Sequence, residues 1–522
     1  MIEIIVYLSV VILVVVWCYF KWNNRHFEKL ASRMPGPPSY PIVGIGLKFI
    51  GSPEQIMSKV FDLLKEYYPG PFSLWLGPYF GVAIAKPEDL QIVLNSSKAL
   101  HKGRMYNFFK NYAGEGLFTA PVDKWRRHRR MITPAFNAKL LEQFFPVFNE
   151  KNKILIRNVT KELNKTQTFD LWEYIAPAAL DTICQTTMGY NLDTQSNNKE
   201  CEFGGAIVQA TDLDAMRIYK PWLYPEIMFS MYLRLTGQQN VFDTMNKFPL
   251  QVIKEKKVKF DQIKKAINAK IDIIDSDNEN QSKLFLDILF KLNIDGGNLS
   301  EKDIRDEVVT MMFGGSDTSA IMVCFSLLML AIHQDIQNNV YDEIYEIFGR
   351  SDQEISIEDT VRLVYLEKVI KETLRMFPVG PVILRELQND LKIFSNDYVL
   401  PKGTTCILSP LATHHNPDLY PKPWNFDPER FSPENIEKRH KYAFIPFSGG
   451  PRGCIGSKYA MLSMKVTLST FLRHFSVHTD IKLPDIKLKL GILMRSVHGY
   501  PVTIRTRDRR PTYYKRNQNQ QG

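Results

Sequence analysis

Cysteine is scarce in this sequence. The 522 residues hold six (Cys18, Cys184, Cys201, Cys324, Cys406 and Cys454), and no two form a C-x-x-C pair. That excludes a disulfide-stapled scaffold and the common zinc and iron–sulfur spacings, and it fits reduced thiols in a cytosol-facing chain. Repeats at solenoid or propeller periods are missing too, and no Gly/Ser linker cuts the chain, so one large domain is the simplest organisation. The charge excess is modest: 66 Lys and Arg against 56 Asp and Glu give +10, with +5 in residues 505–522 and +3 in residues 21–34. The body, 35–504, is left near +3. Phosphate binding requires a basic face that such a body lacks, which argues against nucleic acid as a partner. Apolar residues are plentiful: 44% hydrophobic and 12% aromatic against 23% charged, the composition of a folded chain with a large core.

Residues Ile4 to Phe20 form a 17-residue run whose one clearly polar member is Ser9, at the lower limit for a helix crossing a ~30 Å hydrocarbon core. No basic segment precedes it and no small-residue cleavage site follows. Residues 1–21 therefore read as an uncleaved signal-anchor helix. Lys21, Arg25, Lys29 and Arg33 follow the run while Glu3 precedes it, which by the positive-inside rule places the rest of the chain in the cytosol. Residues 22–44 read as a basic linker and proline-rich hinge. In Pro35-Gly36-Pro37-Pro38-Ser39-Tyr40-Pro41, proline fixes φ and removes donors, which predicts a stiff, non-helical strut. The basic, Asn/Gln-rich end, 505–522, is expected to be disordered.

The body, 45–504, reads mostly as helix. Ser300-Glu301-Lys302-Asp303 offers a cap and an acidic first turn to a proline-free segment running to at least Gln334, long enough to cross a domain. Lys254–Lys270 has the charge of a solvated helix face, and Asp272–Asn280 reads as an acidic loop. Alternation at Tyr398–Leu400 and Thr404–Leu408 marks short strands, so the fold class is mainly α with a minor β region.

Chemistry concentrates in Phe447-Ser448-Gly449-Gly450-Pro451-Arg452-Gly453-Cys454-Ile455-Gly456. Glycines around a lone cysteine let the backbone turn tightly and bring the sulfur against a flat cofactor, where neighbouring amides stabilise a thiolate. Such a thiolate is a strong electron donor to haem iron, and the Arg452 guanidinium matches a haem propionate. A glycine-rich turn around an inert cysteine is the competing reading. A second cluster, Gly314-Gly315-Ser316-Asp317-Thr318-Ser319, falls inside the long helix. Two glycines there loosen the helix and let it bulge. The Thr318 hydroxyl beside the Asp317 carboxylate then makes a proton relay, although a plain kink with Thr318 bonded to its own backbone fits the same residues.

Phe447, Gly450, Arg452, Cys454 and Gly456 match all five fixed positions of F-x-x-G-x-R-x-C-x-G and so resemble the signature of the cytochrome P450 superfamily. Chance gives that match on the order of once in 10,000 chains of this length. Other elements follow in the superfamily's order. Glu372 and Arg375 resemble its E-x-x-R pair, with both side chains on one helix face, and Arg430 in Asp427-Pro428-Glu429-Arg430-Phe431 resembles the arginine completing that structural triad, whose implied role is to buttress the cysteine loop. Trp125 and Arg129 resemble the W-x-x-x-R helix that reaches a propionate, and Arg385 stands where another propionate contact is placed. Glu307 through Ser319 match the family 4 motif E-V-D-T-F-M-F-E-G-H-D-T-T at eight of thirteen places. Lys102-Gly103, Thr133–Asn137 and Leu180–Cys184 are further family-like stretches.

The resemblance implies a cytochrome P450 fold with a single haem domain. It implies Cys454 as the axial iron ligand, Phe447, Arg452, Trp125, Arg129, Arg385 and Gly315 around the haem, and Thr318 with Asp317 as the proton relay. Gly314 replaces the glutamate that in many family 4 members forms an ester with the haem, so haem b is expected to be non-covalent. No nucleotide-binding fingerprint is present, so electrons are expected from an NADPH-dependent flavoprotein reductase, with cytochrome b5 as a second donor. The implied reaction is monooxygenation of a lipophilic substrate (a fatty acid, hormone-like lipid or xenobiotic) at the endoplasmic reticulum membrane. A reductase-independent peroxide isomerase or lyase on the same fold, and a non-catalytic haem or lipid binder, stand as alternatives.

Overall fold

The computed structural model describes residues 2–40, 42–163, 165–197, 202–268, 284–294 and 299–507. The acidic stretch Asp272–Asn280 and all but the first three residues of the tail lie outside them.

The fold is organised around one buried helix, Glu301–Ile332. Its start follows from the sequence: Ser300 and Asp303 close a reciprocal capping box, with Asp303 N–H donating to Ser300 Oγ (3.1 Å) and Ser300 N–H to Asp303 Oδ2 (3.0 Å). The helix stops at Ile332, and a separate helix begins at Gln334, so the expected run to Gln334 is divided at His333. By length and apolarity it qualifies as a membrane span, yet 83% of its most apolar window is inside the protein, which marks a core helix. Around it pack Trp172–Ile183, Val364–Met376 and Ser457–His474, whose apolar faces form the main core.

Sheets are small and lie to one side. Strands Phe72–Leu76, Tyr79–Ile84, Thr405–Leu408 and Ile383–Glu386 form a four-stranded sheet in that order, the middle pair parallel. The alternation at 398–408 thus corresponds to two strands, Val399–Leu400 and Thr405–Leu408. A second sheet pairs Pro501–Thr506 with Phe169–Asp170 and Phe475–His478. Arg505 and Thr506 therefore belong to the domain and not to a disordered tail.

The 22–44 segment is more ordered than a linker. Arg25–Ala31 is a helix that buries Phe27 and Leu30 against Trp75 and Phe80. The proline stretch lies along the first strand, with Ser73 N–H donating to the Pro35 carbonyl at 2.8 Å. The apolar run 4–20 lies in the helix Ile2–Asn23.

Candidate active site

Cys454 sits at the end of the glycine turn, just before the helix Ser457–His474. Its N–H donates to the Phe447 carbonyl at 2.9 Å, and Gly453 N–H to the Gly450 carbonyl at 3.0 Å, which closes the turn. Gly450 has φ +65°, and a Cβ there would stand 2.0 Å from the Leu94 carbonyl oxygen, so the turn packs flush on the 87–95 helix. The thiol has accessible surface yet is enclosed by protein, so it opens onto interior space. Burial pushes the Cys454 thiol up, while the Gly456 amide, Arg129 and Lys102 pull it down. A helix N-terminus and two cations are what a thiolate needs for stability.

The cations converge from four parts of the chain. Arg452 donates to the Leu100 carbonyl (3.1 Å) and the Ala120 carbonyl (2.9 Å) and lies 4.3 Å over the Trp125 ring. Its Nη1 is buried with no partner among the described residues. Arg129 donates to the Gly453 carbonyl at 3.1 Å, tying helix Val122–Ile132 to the cysteine turn. The Arg385 side chain, 2% exposed, donates to the neighbouring Leu384 carbonyl at 2.8 Å. Lys102 faces Arg385, Arg452 and Arg129 and sits 4.4 Å over the Phe118 ring. Burial and the neighbouring guanidiniums hold Lys102 well below the usual lysine range and Arg452 down at about 9. Among the described residues no carboxylate pairs with any of the four. Uncompensated buried cations are unfavourable alone, and an orphaned guanidinium edge beside an interior thiol fits a dianionic, metal-bearing group such as haem.

The central helix carries the second cluster. It remains continuous through Gly314 and Gly315, so the expected bulge is absent; the two glycines do different work. A Cβ on Gly315 would meet Ile183 Cδ1 at 2.5 Å, so this glycine permits close helix packing, whereas nothing lies within 4 Å of a Cβ on Gly314. The Thr318 hydroxyl donates to the Gly314 carbonyl at 2.6 Å. Asp317, buried and on an adjacent bearing, pairs with Arg495, which stacks 4.6 Å over Trp172. Burial raises the Asp317 carboxyl despite that cation. Thr318 and Asp317 are thus neighbours in sequence with separate partners, since i, i+1 side chains on a helix diverge.

The triad is assembled. Arg375 holds Glu372 with Nε to Oε2 at 2.7 Å and Nη2 to Oε1 at 2.8 Å, and Arg430 Nε lies 3.4 Å from Glu372 Oε1. Glu372 and Arg375 are fully buried. On the Trp125 helix the side chains divide as a helix requires: Arg126, Arg127 and Arg130 face solvent while Trp125 and His128 are buried.

Several features escaped the sequence reading. Lys102 stood in a family-like stretch without a role. Arg495 lies 178 residues from Asp317 with no local pattern to join them. His128 Nδ1 pairs with Glu307 at 2.7 Å, and Glu307 also accepts Leu117 N–H at 3.0 Å, locking the Trp125 helix to the central helix. Beside Phe313, Tyr112 faces Asp214 of helix Glu202–Tyr219, whose carboxyl oxygens have no hydrogen-bond partner among the described residues; burial pushes that carboxyl up to about 8.

Comparison with known proteins accounts for this arrangement of a cysteine turn, a cation cluster and a crossing helix. The cytochrome P450 family model matches residues 34–501. Cytochrome P450 4V2 of Homo sapiens is 35% identical over 477 residues, covering 90% of this chain and 89% of the relative. Cytochrome P450 4c21 of Blattella germanica is 34% identical over 511 residues, covering 97% and 98%. Cytochrome P450 4g15 of Drosophila melanogaster is 32% identical over 556 residues, covering 95% and 96%. In fold alone, the solved cytochrome P450DA heme domain superposes with a TM-score of 0.75 at 21% identity, over 92% of this chain and 98% of that one. The chain belongs to the cytochrome P450 family, resembles its family 4, and is a haem-dependent monooxygenase.

Proposed function

We propose that this protein is a membrane-anchored monooxygenase that inserts one atom of dioxygen into a lipophilic substrate, a fatty acid, hormone-like lipid or xenobiotic, using NADPH electrons delivered by a flavoprotein reductase. The observation that carries the reading is the enclosed Cys454 thiol at a helix N-terminus, next to Arg129 and Lys102 of a four-cation cluster that has no carboxylate partner among the described residues. Bound haem b supplies oxygen activation. Cys454 would ligate its iron, and Arg129, Arg385, Arg452 and Trp125 would hold its propionates.

On the central helix, the Thr318 hydroxyl holds a proton on the Gly314 carbonyl, and Asp317 holds its charge on Arg495. Relay through this pair requires Asp317 to exchange Arg495 for Thr318 or a water. Retention of both residues favours monooxygenation over peroxide isomerisation, which needs no proton relay. Gly314 offers no side chain for an ester, so the haem is held by these contacts alone. Exposed Arg126, Arg127 and Arg130 form the basic face offered to the reductase or to cytochrome b5.

Residence at the endoplasmic reticulum membrane, with the domain in the cytosol, is supported by two apolar surfaces. Helix Ile2–Asn23 exposes Ile4, Tyr7, Leu8, Ile12 and Val15, and helix Glu226–Leu235 exposes Ile227, Met231 and Leu235.

The test is the reduced, carbon-monoxide-bound spectrum of the membrane-expressed protein beside Cys454→Ser. A Soret band at the long-wavelength position of thiolate-ligated haem, lost in the variant, is expected. The short-wavelength band of a neutral ligand in folded wild-type protein defeats the reading. In the same preparation, haem retained on the polypeptide in a denaturing gel rejects non-covalent binding.

A further inference from the structure

The short helix Pro410–His414 ends on a residue with no part in the sequence reading. His414 is fully buried, and its two ends serve different neighbours. The backbone carbonyl accepts Arg375 Nη1 at 2.9 Å. Ring Nε2 accepts the Ile445 N–H at 2.9 Å, and the ring centroid lies 5.3 Å from that of Phe444. A backbone amide only donates, so Nε2 is the unprotonated nitrogen and the ring proton is on Nδ1. Burial, with His415 and Arg375 alongside, holds this imidazole well below the usual histidine range, so it stays neutral and keeps its acceptor.

From the triad to the iron-binding cysteine, a series of hydrogen bonds is joined by no more than a residue or two of covalent chain at each step. Glu372 grips Arg375 twice, and Arg375 binds the His414 carbonyl. The His414 ring binds the Ile445 amide, the Ile445 carbonyl accepts Ser448 N–H at 3.0 Å, and the Phe447 carbonyl accepts Cys454 N–H. A parallel strut runs through Tyr420, which lies 5.1 Å under the Arg375 guanidinium and donates to the Ala443 carbonyl at 3.1 Å. It meets the chain two residues earlier, before Phe444, and leaves the Ile445 amide to His414.

We propose that His414 is a positioning residue for the iron-binding turn, its ring fixing the Ile445 amide, and with it the start of the turn that presents Cys454, to the buried Glu372–Arg375 pair. This rests on Cys454 being the axial ligand, as proposed above. A ring of the same shape without an acceptor leaves the Ile445 N–H buried and unpaired, and the turn relaxes to hydrate it. A glutamine places its carbonyl oxygen near the position of Nε2 and restores the bond. The triad thus acts on the thiolate through one neutral imidazole, which gives its distant ion pair a route to the iron ligand.

The experiment compares full-length holoenzyme carrying His414→Phe, His414→Gln and Tyr420→Phe. Two quantities are read: hydrogen exchange in the peptide spanning 444–450, and the rate at which the thiolate-type Soret band of the reduced carbon-monoxide complex converts to the short-wavelength form. H414F is expected to raise both by about tenfold, the effect of one lost hydrogen bond. H414Q is expected to restore both, and Y420F to leave the conversion rate within about twofold. H414F with full haem and wild-type rates overturns the proposal, as does H414Q behaving like H414F. Where H414F does not accumulate with haem, the wild-type Ile445 amide decides: exchange as fast as that of an exposed loop amide is equally fatal. A wild-type protein with no thiolate band refutes the Cys454 assignment and leaves the His414 bond to be judged by exchange alone.

Discussion

Gly450 and Gly456 are interchangeable in the sequence signature, and the structure separates them. At Gly450 an alanine meets two penalties at once. Its φ of +65° costs an L-residue ~1–2 kcal/mol. Its Cβ would stand 2.0 Å from Leu94 O and 2.8 Å from Leu94 C, which are backbone atoms that cannot swing aside. Overpacking of this kind typically costs ~1–3 kcal/mol, so the two together reach ~2–5 kcal/mol, a large share of a domain's ~5–15 kcal/mol. Relief requires the turn to retreat from the 87–95 helix by ~1 Å, and misplacement of that size costs on the order of a hundredfold in rate. Gly456 has φ −89° and nothing within 4 Å of a Cβ, so alanine there is worth at most about 1 kcal/mol as a poorer N-cap. Gly450→Ala should therefore lose haem and the thiolate band while Gly456→Ala keeps both, measured as haem per chain and as the carbon-monoxide difference spectrum. Equal haem content and equal bands in G450A and wild type would refute the steric argument.

Arg495→Gln leaves the Asp317 carboxylate buried without its cation; it should destabilise the protein by ~3–5 kcal/mol in denaturant titrations, and Asp317→Asn on top should recover part of that loss. Additive effects of the two substitutions would show that the pair is not coupled. Asp214 gives a pH dependence. Its native carboxyl is raised to about 8 by burial, with Tyr112, Arg217 and Glu226 as its charged or titratable neighbours, against an ordinary value of ~3.9 when unfolded. Its stabilising share is complete below the ordinary value and is lost as pH rises toward 8, so Asp214→Asn should gain on wild type in Tm from pH 5 to 8 and level off above. A pH-independent difference would count against the buried, unpaired carboxyl.

The parts legible in the sequence were those set by local rules or by fixed spacing. The Ser300–Asp303 box fixes the start of the central helix, and the division of the Trp125 helix into buried and exposed side chains follows from its period. The break at His333 was missed because no proline marks it. The 25–31 helix was missed because a basic composition hides two apolar residues, Phe27 and Leu30, that the first sheet buries. At the site, the cysteine turn was readable because its constraints are short-range. Arg495 and His414 were not, since each acts on a partner far along the chain and only tertiary packing brings the two together. The glycine pair shows the limit most plainly: its composition predicted a distorted helix, and the backbone instead spends one glycine on Ile183 and the other on open space.

The four site cations also bear on how much of this protein a cell can hold. Lys102, Arg129, Arg385 and Arg452 repel one another in a low-dielectric interior, so the chain alone folds against its own charge. A ligand carrying two carboxylates removes that penalty and, by mass action, stabilises the folded form by an amount that grows with the logarithm of its free concentration. Abundance of the folded enzyme should accordingly track cofactor supply as well as synthesis. When the chain is made faster than haem, the surplus is expected to be the fraction most open to proteolysis, with haem availability then setting a ceiling on activity before any substrate is met.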